Sequence, residues 1–306
     1  MTNSPKNDLV TVLDWIRWGA SEFAAADLWF GHGTDNAWDE SVVLVLWVLH
    51  QPWEMLDRIY DAKLTADERQ RVETIIIRRI QEKTPAAYLT GEAWFGGLRF
   101  EVTPDVLVPR SPIAELVLAG FQPWVVEYPD SILDMCTGSG CIGILCAEAF
   151  PEADVDISDI SSKALAVAQR NIASYSLASR VRVIESDLFN DKSFGEKRYD
   201  LIVSNPPYVD AVDLASMPAE FHAEPALGLS SGDDGLDLTR RILRDAAKHL
   251  NPGGVLVVEV GNSWEALEEA YPEVPFFWPE LENGGHGVFL LREEQLLECG
   301  SLFSGH

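Results

Sequence analysis

Apolar residues near the start of the chain recur every three or four positions, beginning at Leu9. This is the spacing of one face of an α-helix. A second apolar run extends from Trp38 to Leu49, and a third helical pattern runs from Thr65 to Lys83. Because strand-like alternation does not interrupt these patterns, we expect residues 1–90 to form a small helical domain.

The pattern changes after residue 90. Two short apolar runs separated by Gly96-Gly97 predict a β-hairpin, and we assign residues 91–112 to a hairpin linker. From residue 113 to residue 306, short apolar runs alternate with helical patterns, which is typical of a doubly wound, mostly parallel α/β sheet. Strands are predicted at Ser131–Met135, Val155–Asp159, Val181–Glu185, Tyr199–Ser204 and Val255–Val260, and near 274–278 and 287–291. A turn at Asn283-Gly284-Gly285 predicts that the last two are antiparallel.

The tetrapeptide Asn205-Pro206-Pro207-Tyr208 directly follows one of the predicted strands. In an open α/β sheet, ligands bind at the carboxyl ends of the strands. The two prolines have fixed φ and no N–H, so their carbonyl oxygens remain free as acceptors, while Asn205 adds an amide oxygen and Tyr208 adds a flat ring. This combination suits a planar group that carries an NH2, such as a carboxamide or the amine of adenine or cytosine. A proline-rich turn that ends a strand is the alternative.

Acidic residues mark the ends of the preceding strands. The segment Asp134-Met135-Cys136-Thr137-Gly138-Ser139-Gly140 predicts a glycine-rich turn between a strand and a helix, where the backbone can approach a ligand. We expect this turn to differ from the dinucleotide fingerprint G-x-G-x-x-G, because Cys136 precedes Thr137 and no third glycine is expected where the helix packs on the strand. Asp159 stands where a carboxylate accepts from ribose hydroxyls, and Asp187 could accept from an adenine amine. Leu188, the next residue, is assigned to the same cofactor site. Because no basic residue stands among these acids, they favour a cationic nucleoside, S-adenosylmethionine, as cofactor.

The chain is strongly acidic. It has a formal net charge of −26 over 306 residues, with 47% hydrophobic residues and no apolar run of membrane length. Such a surface disfavours stable nucleic-acid binding and attracts a basic protein partner. The alternative explanation is that the acidity confers only solubility. The spacing of the cysteines and histidines does not predict a metal site. The first residues do not resemble a signal peptide, so we expect a cytoplasmic protein with no membrane association.

These motifs together resemble a known family. The Asp134–Gly140 turn, Asp159, Asp187 and the tetrapeptide resemble class I S-adenosylmethionine-dependent methyltransferases of the HemK/PrmC group, which methylate the side-chain amide nitrogen, N(5), of glutamine in proteins. The motifs that resemble its PrmB-type branch are Gly31-His32-Gly33-Thr34-Asp35-Asn36, Val108-Pro109-Arg110-Ser111-Pro112 and Asp134 to Cys141. The substrate of that branch is the ribosomal protein L-three. The resemblance implies a seven-stranded Rossmann-like sheet with one antiparallel strand, and an N-terminal domain that helps to recognise the substrate.

The resemblance also implies roles for individual residues. The tetrapeptide would be catalytic, and Asn205 would also belong to the cofactor-binding residues. Our hypothesis is that Asn205 Oδ1 and the Pro206 carbonyl accept both hydrogens of the glutamine amide. Because no His or Glu is adjacent to the tetrapeptide, no general base is assigned. Tyr208 would bind the substrate by packing against the amide plane and excluding water. Arg110 and Glu224 would shape the substrate entrance, although Arg110 is equally suited to a structural ion pair. The Gly31–Asn36 block is either a substrate loop or a capping turn.

Three other functions remain open. Within the same chemistry, the chain could be a release-factor glutamine methyltransferase. An adenine-amine methyltransferase acting on DNA or RNA would flip its base into the same pocket. A non-catalytic assembly factor would bind the ribosomal protein without methyl transfer.

Overall fold

The computed structural model describes residues 8–282 and 284–304. The chain separates into two units. The helical unit consists of Met1–Ala93 together with Pro218–Ala223, and the sheet unit consists of Trp94–Met217 and Glu224–His306. The short segment 218–223 therefore belongs to the helical unit, although its neighbours on both sides belong to the sheet unit.

Five α-helices make up the described part of the helical unit: α1 (Val12–Ala25), α2 (Ala37–Leu49), α3 (Leu56–Ile59), α4 (Ala66–Glu82) and α5 (Ala86–Thr90). The sequence caps the longer ones. A Thr side chain and an acid three residues later form a capping box at α1 and at α4, and Asn36 caps α2. The apolar faces of these helices form a core that includes Trp15, Phe23 and Ile76.

The sheet unit begins with the hairpin and continues with alternating strands and helices. The strands are β1 (Glu92–Phe95), β2 (Leu98–Glu101), β3 (Ser131–Met135), β4 (Asp154–Asp159), β5 (Val181–Glu185), β6 (Tyr199–Ser204), β7 (Leu250–Glu259) and β8 (Val288–Arg292). The helices are α6 (Ile113–Leu118), α7 (Cys141–Ala149), α8 (Ser162–Ser174), α9 (Ala211–Ser216), α10 (Asp237–His249), α11 (Trp264–Ala270) and α12 (Glu293–Glu298). Strands β1 and β2 pair with each other, and the others form one sheet in the order β5-β4-β3-β6-β7-β8.

The predicted α/β class and mostly parallel sheet are confirmed, but the predicted strand count is wrong. The sheet has six strands in the part of the chain that the structure describes, and β8 pairs with β7 in antiparallel orientation. The stretch near 274–278 makes only an isolated antiparallel bridge between Phe277 and Leu290. Pro275 and Pro279 have no N–H to donate, so pairing does not extend along this stretch. The predicted turn after it includes Asn283, which lies outside the described residues.

The strand order brings the site together. After β5 the chain returns to pair β6 with β3, so the strand order reverses at this pair, which is where ligands bind in doubly wound sheets. In the register of this pair, Met135 lies opposite Ser204. The next residues, Cys136 and Asn205, therefore leave the sheet side by side. No helix within the described ranges is long and apolar enough to cross a membrane.

Candidate functional site

A cavity of about 280 Å³ lies in the sheet unit at the carboxyl ends of the strands. Six of its lining residues were predicted for the site: Gly138, Asp159, Asp187, Leu188, Asn205 and Pro207. The cavity is also lined by Cys136, by the loop residues Val106 and Leu107, and by Pro225. The structure therefore brings the glycine-rich turn and the tetrapeptide to one cavity.

Asp134 is fully buried and holds the glycine-rich turn. Its Oδ2 accepts from the Thr137 hydroxyl and, at 2.8 Å, from the Gly143 amide. Burial raises the pKa of Asp134 to about 7. Thr137, Ser139 and Gly140, which were also predicted to bind the cofactor, are buried in the same turn. These residues shape the backbone that lines the cavity.

Gly143 corrects the sequence interpretation, because it is the third glycine that we did not assign. It follows Gly138 and Gly140 at the fingerprint spacing, in the first turn of α7. A Cβ at this position would come within 2.4 Å of Ile157 Cγ2 on β4. Glycine is therefore required for close helix–strand packing, as in dinucleotide-binding turns.

Asp159 ends β4 and faces the cavity. Its Oδ2 accepts from the Gly138 amide and its Oδ1 from the Ser161 amide, both at 2.9 Å. Burial raises the pKa of Asp159. Each carboxylate oxygen can accept a second hydrogen bond, so the arrangement leaves acceptor capacity for a diol such as a ribose.

Asp187 has a basic neighbour, contrary to the sequence interpretation. Arg241 Nη2 on α10 lies 2.7 Å from Asp187 Oδ2, and Arg241 also lines the cavity. The hydrogen bond from Arg241 lowers the pKa of Asp187. Asp105 and Asp159 are the further carboxylates of the cavity wall, so the acidic character of the wall is retained but is weaker than predicted.

Two lining residues adopt a backbone conformation that favours glycine. Cys136 has φ = 57° and Leu188 has φ = 53°. Left-handed backbone in residues other than glycine, asparagine and aspartate is uncommon, and it concentrates at functional sites. Both residues directly follow strand-end segments that form the cavity, so the strain lies where a ligand would bind.

The tetrapeptide leaves β6 beside the cavity. Asn205 and Pro207 line the cavity, Pro206 is buried and Tyr208 is half-buried. The Tyr208 hydroxyl donates to Glu259 Oε1 at 2.9 Å, and the Tyr208 carbonyl accepts from the Ser263 hydroxyl at 2.9 Å.

Glu259 was missed in the sequence, and it corrects the statement that no Glu is adjacent to the tetrapeptide. It is the last residue of β7, and its Oε2 accepts from the Ser111 hydroxyl at 2.5 Å. Burial raises the pKa of Glu259. The available signal was a single acid at the end of the apolar run Val255–Val260, in the same position relative to its strand as Asp159.

Arg110 and Glu224 form a bidentate ion pair, as the structural alternative for Arg110 anticipated. Arg110 Nη1 lies 2.5 Å from Glu224 Oε1, and Nη2 lies 2.7 Å from Oε2. The Val108 amide also donates to Glu224, at 3.1 Å. The pair fixes the chain just before Pro225, which lines the cavity. Substrate contact by Arg110 or Glu224 stays a prediction.

The Gly31–Asn36 block lies in the helical unit. Asn36 caps α2 and the Thr34 hydroxyl donates to Glu40 at 3.1 Å. The His32 ring packs on Phe221 of the segment 218–223, with ring centroids 4.7 Å apart. The buried Arg79 bonds Glu40 at 2.6 Å and lies 3.5 Å from Glu220 of the same segment. In this structure the block caps a helix and packs against the segment 218–223.

Comparisons with known proteins identify the family. The model of the methyltransferase small domain matches residues 117–227. A ribosomal protein uL3 glutamine methyltransferase of Francisella tularensis subsp. tularensis is 46% identical over 299 residues, covering 97% of this chain and 95% of that protein. One of Neisseria gonorrhoeae is 50% identical over 300 residues, covering 97% of this chain and 99% of that protein. The chain belongs to this family.

The predicted resemblance, including its PrmB-type branch, is thereby confirmed, as is the prediction of a methyltransferase. Among solved structures, the hMettl16 catalytic domain in complex with the MAT2A 3′UTR hairpin 6 is similar, with a TM-score of 0.51 and 17% identity over 74% of this chain and 80% of that one. This similarity concerns the fold of a methyltransferase and carries no information about the substrate.

Proposed function

We propose that this chain transfers a methyl group from S-adenosylmethionine to the side-chain amide nitrogen, N(5), of a glutamine in ribosomal protein uL3, the L-three of the sequence interpretation. The observation that carries the proposal is the register of β3 and β6, which brings Cys136 and Asn205 to one cavity. The family relationship to uL3 glutamine methyltransferases supports the choice of substrate.

The cavity wall fits this cofactor in charge and in hydrogen-bonding capacity. Asp105, Asp159 and Asp187 line it against a single basic residue, Arg241. Asp159 would hold the ribose, and the turn at Gly138 would lie against the rest of the nucleoside. When bound, the cofactor would supply an electrophilic methyl group on a positively charged sulfur, which an acidic wall favours.

The tetrapeptide would activate the glutamine amide. Its nitrogen is a poor nucleophile because the lone pair is delocalised into the carbonyl. Asn205 Oδ1 and the Pro206 carbonyl would accept its two N–H bonds, which orients the lone pair and favours positive charge as it develops on nitrogen. Holding the two reactants in line can contribute several kcal/mol, and the proton leaves to water afterwards.

The charge of the chain suits a basic protein substrate. A net charge of −26 attracts and steers a basic ribosomal protein and repels a nucleic-acid duplex. We therefore propose uL3 as a partner, with no stable nucleic-acid binding and no membrane association. The helical unit would help to recognise uL3, and the reaction would take place in the cytoplasm.

Methyl transfer from labelled S-adenosylmethionine tests this proposal. Purified uL3, a release factor and a nucleic-acid pool are each incubated with the enzyme, and the labelled atom is mapped by mass spectrometry. We expect label on a glutamine amide of uL3 alone. Label on the release factor would overturn the substrate, and label on nucleic acid would overturn the class of substrate. No transfer to any of them, together with no binding of S-adenosylmethionine in calorimetry, would indicate an assembly factor.

A further inference from the structure

Glu259 is a buried acid that touches the tetrapeptide from the neighbouring strand. Strands β6 and β7 are parallel, and Ser204 lies opposite Val258 in their register. Glu259 is therefore the last strand residue beside the start of the tetrapeptide. Its side chain is 4% exposed, and both of its oxygens accept hydroxyl hydrogens, one from Tyr208 and one from Ser111.

The Tyr208 ring is held on several sides. The phenol oxygen is fixed by Glu259, and the backbone carbonyl is fixed by the Ser263 hydroxyl. The ring edge lies against Gly261, where a Cβ would come within 2.4 Å of Tyr208 Cε2. Gly261 also has φ = 48°, so its backbone makes room for the ring in a conformation that favours glycine.

We propose, on the basis of the proposed function, that Glu259 is a positioning residue that fixes the Tyr208 ring, and with it the wall of the amide pocket, for methyl transfer. A tyrosine side chain otherwise rotates about χ1 and χ2. The bond to Glu259 fixes χ1 because it holds the far end of the ring, and the contact of the ring edge with Gly261 limits χ2. A carboxylate makes the stronger, charge-assisted bond and requires the Tyr208 hydroxyl to be the donor.

The surroundings of Glu259 argue for function rather than stability. Burial raises its pKa, and Arg110, the cation that acts on it, already forms a bidentate pair with Glu224. A carboxylate held by two neutral hydroxyls in the interior is costly compared with an apolar side chain of similar volume. Its position beside the tetrapeptide accounts for the acid, because a carboxylate on β7 can only accept and therefore makes the Tyr208 hydroxyl the donor.

A double-mutant cycle tests the proposal. Glu259→Gln, Tyr208→Phe and the double variant are compared with the wild type in uL3 methylation, with kcat and KM for uL3 measured separately and S-adenosylmethionine affinity measured by calorimetry. Each single variant should lower kcat by about 10- to 100-fold, the loss expected for a misplacement of roughly 1 Å. Cofactor affinity should stay within about twofold, and the double variant should be no slower than the slower single variant.

Tyr199→Phe is the matched control, because it removes the same kind of bond at the other end of the same strand. The Tyr199 hydroxyl donates to the buried carboxylate of Asp156 at 2.6 Å. This variant should lower the melting temperature about as much as Tyr208→Phe but leave kcat unchanged. Additive losses in the double variant, an unchanged kcat in Glu259→Gln, or an equal loss in Tyr199→Phe would each overturn the proposal.

A second measurement is independent of the substrate. In nuclear magnetic resonance of tyrosine labelled at Cα and Cβ, the couplings across the Cα–Cβ bond of Tyr208 should report a single χ1 rotamer in the wild type and averaging between rotamers in Glu259→Gln. An unchanged single rotamer contradicts the positioning role even if uL3 proves to be the wrong substrate. Conversely, rotamer averaging in a Glu259→Gln variant of a protein that does not methylate uL3 supports the positioning role while the proposed function fails.

Discussion

Acidic side chains near the amino ends of the strands and those near the carboxyl ends have opposite surroundings. Near the amino ends of the strands, Asp156 accepts from the Tyr199 hydroxyl at 2.6 Å, from Arg182 at 2.9 Å and from Lys197 at 2.5 Å. Burial opposes ionisation of Asp156, but the hydrogen bonds from Lys197, Tyr199 and Arg182 outweigh it and lower the pKa of Asp156. This carboxylate is charged and compensated.

At the carboxyl ends, two buried acids, Asp134 and Glu259, and the half-buried Asp159 have no cation among their hydrogen-bond partners in the described chain. Asp134 and Asp159 accept from backbone amides and a threonine hydroxyl, and Glu259 accepts from two hydroxyls. Burial raises the pKa of all three. We infer that the acid at the amino ends of the strands contributes stability, whereas the acids at the carboxyl ends are kept at a cost to stability, which the proposed binding of a ligand would explain.

The largest expected effect is on catalysis at the carboxyl end. Asn205→Ala removes a proposed acceptor of the amide hydrogens, so kcat for uL3 methylation should fall by about 100- to 1000-fold, as for loss of one oxyanion-hole donor. Cofactor affinity should change by less than about threefold. Asn251→Ala is the control, because Asn251 Nδ2 bonds Asp200 at 2.7 Å toward the amino side of the sheet. Equal turnover of the wild type and Asn205→Ala would refute the proposed mechanism.

The next largest effect is on the stability contributed near the amino ends of the strands. Asp156→Asn removes the charge that Arg182 and Lys197 neutralise, while Tyr199 keeps an acceptor. We expect a loss of about 2 kcal/mol in the free energy of unfolding, reduced from a fully buried pair because both cations are partly exposed. Urea unfolding measures this loss, and kcat should stay at the wild-type value. A loss below about 0.5 kcal/mol would show that the cluster does not stabilise the sheet.

The counterpart at the carboxyl end should behave in the opposite way. Asp134→Asn keeps an acceptor for the Thr137 hydroxyl and the Gly143 amide, and it removes a buried charge. In the wild type, the pKa of Asp134 is raised from 3.8 to about 7, so its favourable contribution is complete below pH 3.8 and is lost as the pH rises toward 7. Asp134→Asn should therefore gain stability relative to the wild type between about pH 4 and pH 7.

Urea unfolding of both variants over a range of pH compares Asp134 with Asp156. The pKa of Asp156 is lowered, so its contribution is present above pH 3.8 and is lost as the pH falls below that value. The difference between Asp156→Asn and the wild type should therefore shrink only in acid. Parallel pH profiles for the two variants would contradict the distinction between the two ends of the sheet.

The strands and their ends could be predicted from the sequence because they are local features. Buried parallel strands are short apolar runs with polar boundaries, so Asp159 and Asn205 could be placed at strand ends without knowing the strand order. The glycine at 143 was equally local and was overlooked. The strand predicted near 274–278 is wrong because an apolar run does not by itself show that backbone groups pair. Apolar side chains of this stretch are partly buried in the core, while its prolines prevent regular strand pairing.

Contacts between distant segments could not be predicted in this way. The bond from Tyr208 to Glu259 depends on β7 lying beside β6, and the bond from Arg241 on α10 to Asp187 joins residues 54 positions apart in the chain. The inclusion of 218–223 in the helical unit depends on the buried Arg79 and Glu220, which are 141 positions apart in the chain. No local pattern encodes such a pairing.

The smallest effect concerns backbone strain at the cavity. Cys136 has φ = 57°, which glycine adopts without strain. Cys136→Gly should change the free energy of unfolding by less than about 1 kcal/mol, because relief of strain offsets the greater freedom of the unfolded chain. Ser176→Gly is the matched control, since Ser176 has φ = 58° and does not line the cavity. We expect similar stability changes in both variants. Cofactor affinity, measured by calorimetry, should change by about two- to fivefold only in Cys136→Gly, because Cys136 lines the cavity. Equal cofactor affinities of the two variants would mean that the Cys136 side chain does not contact the cofactor.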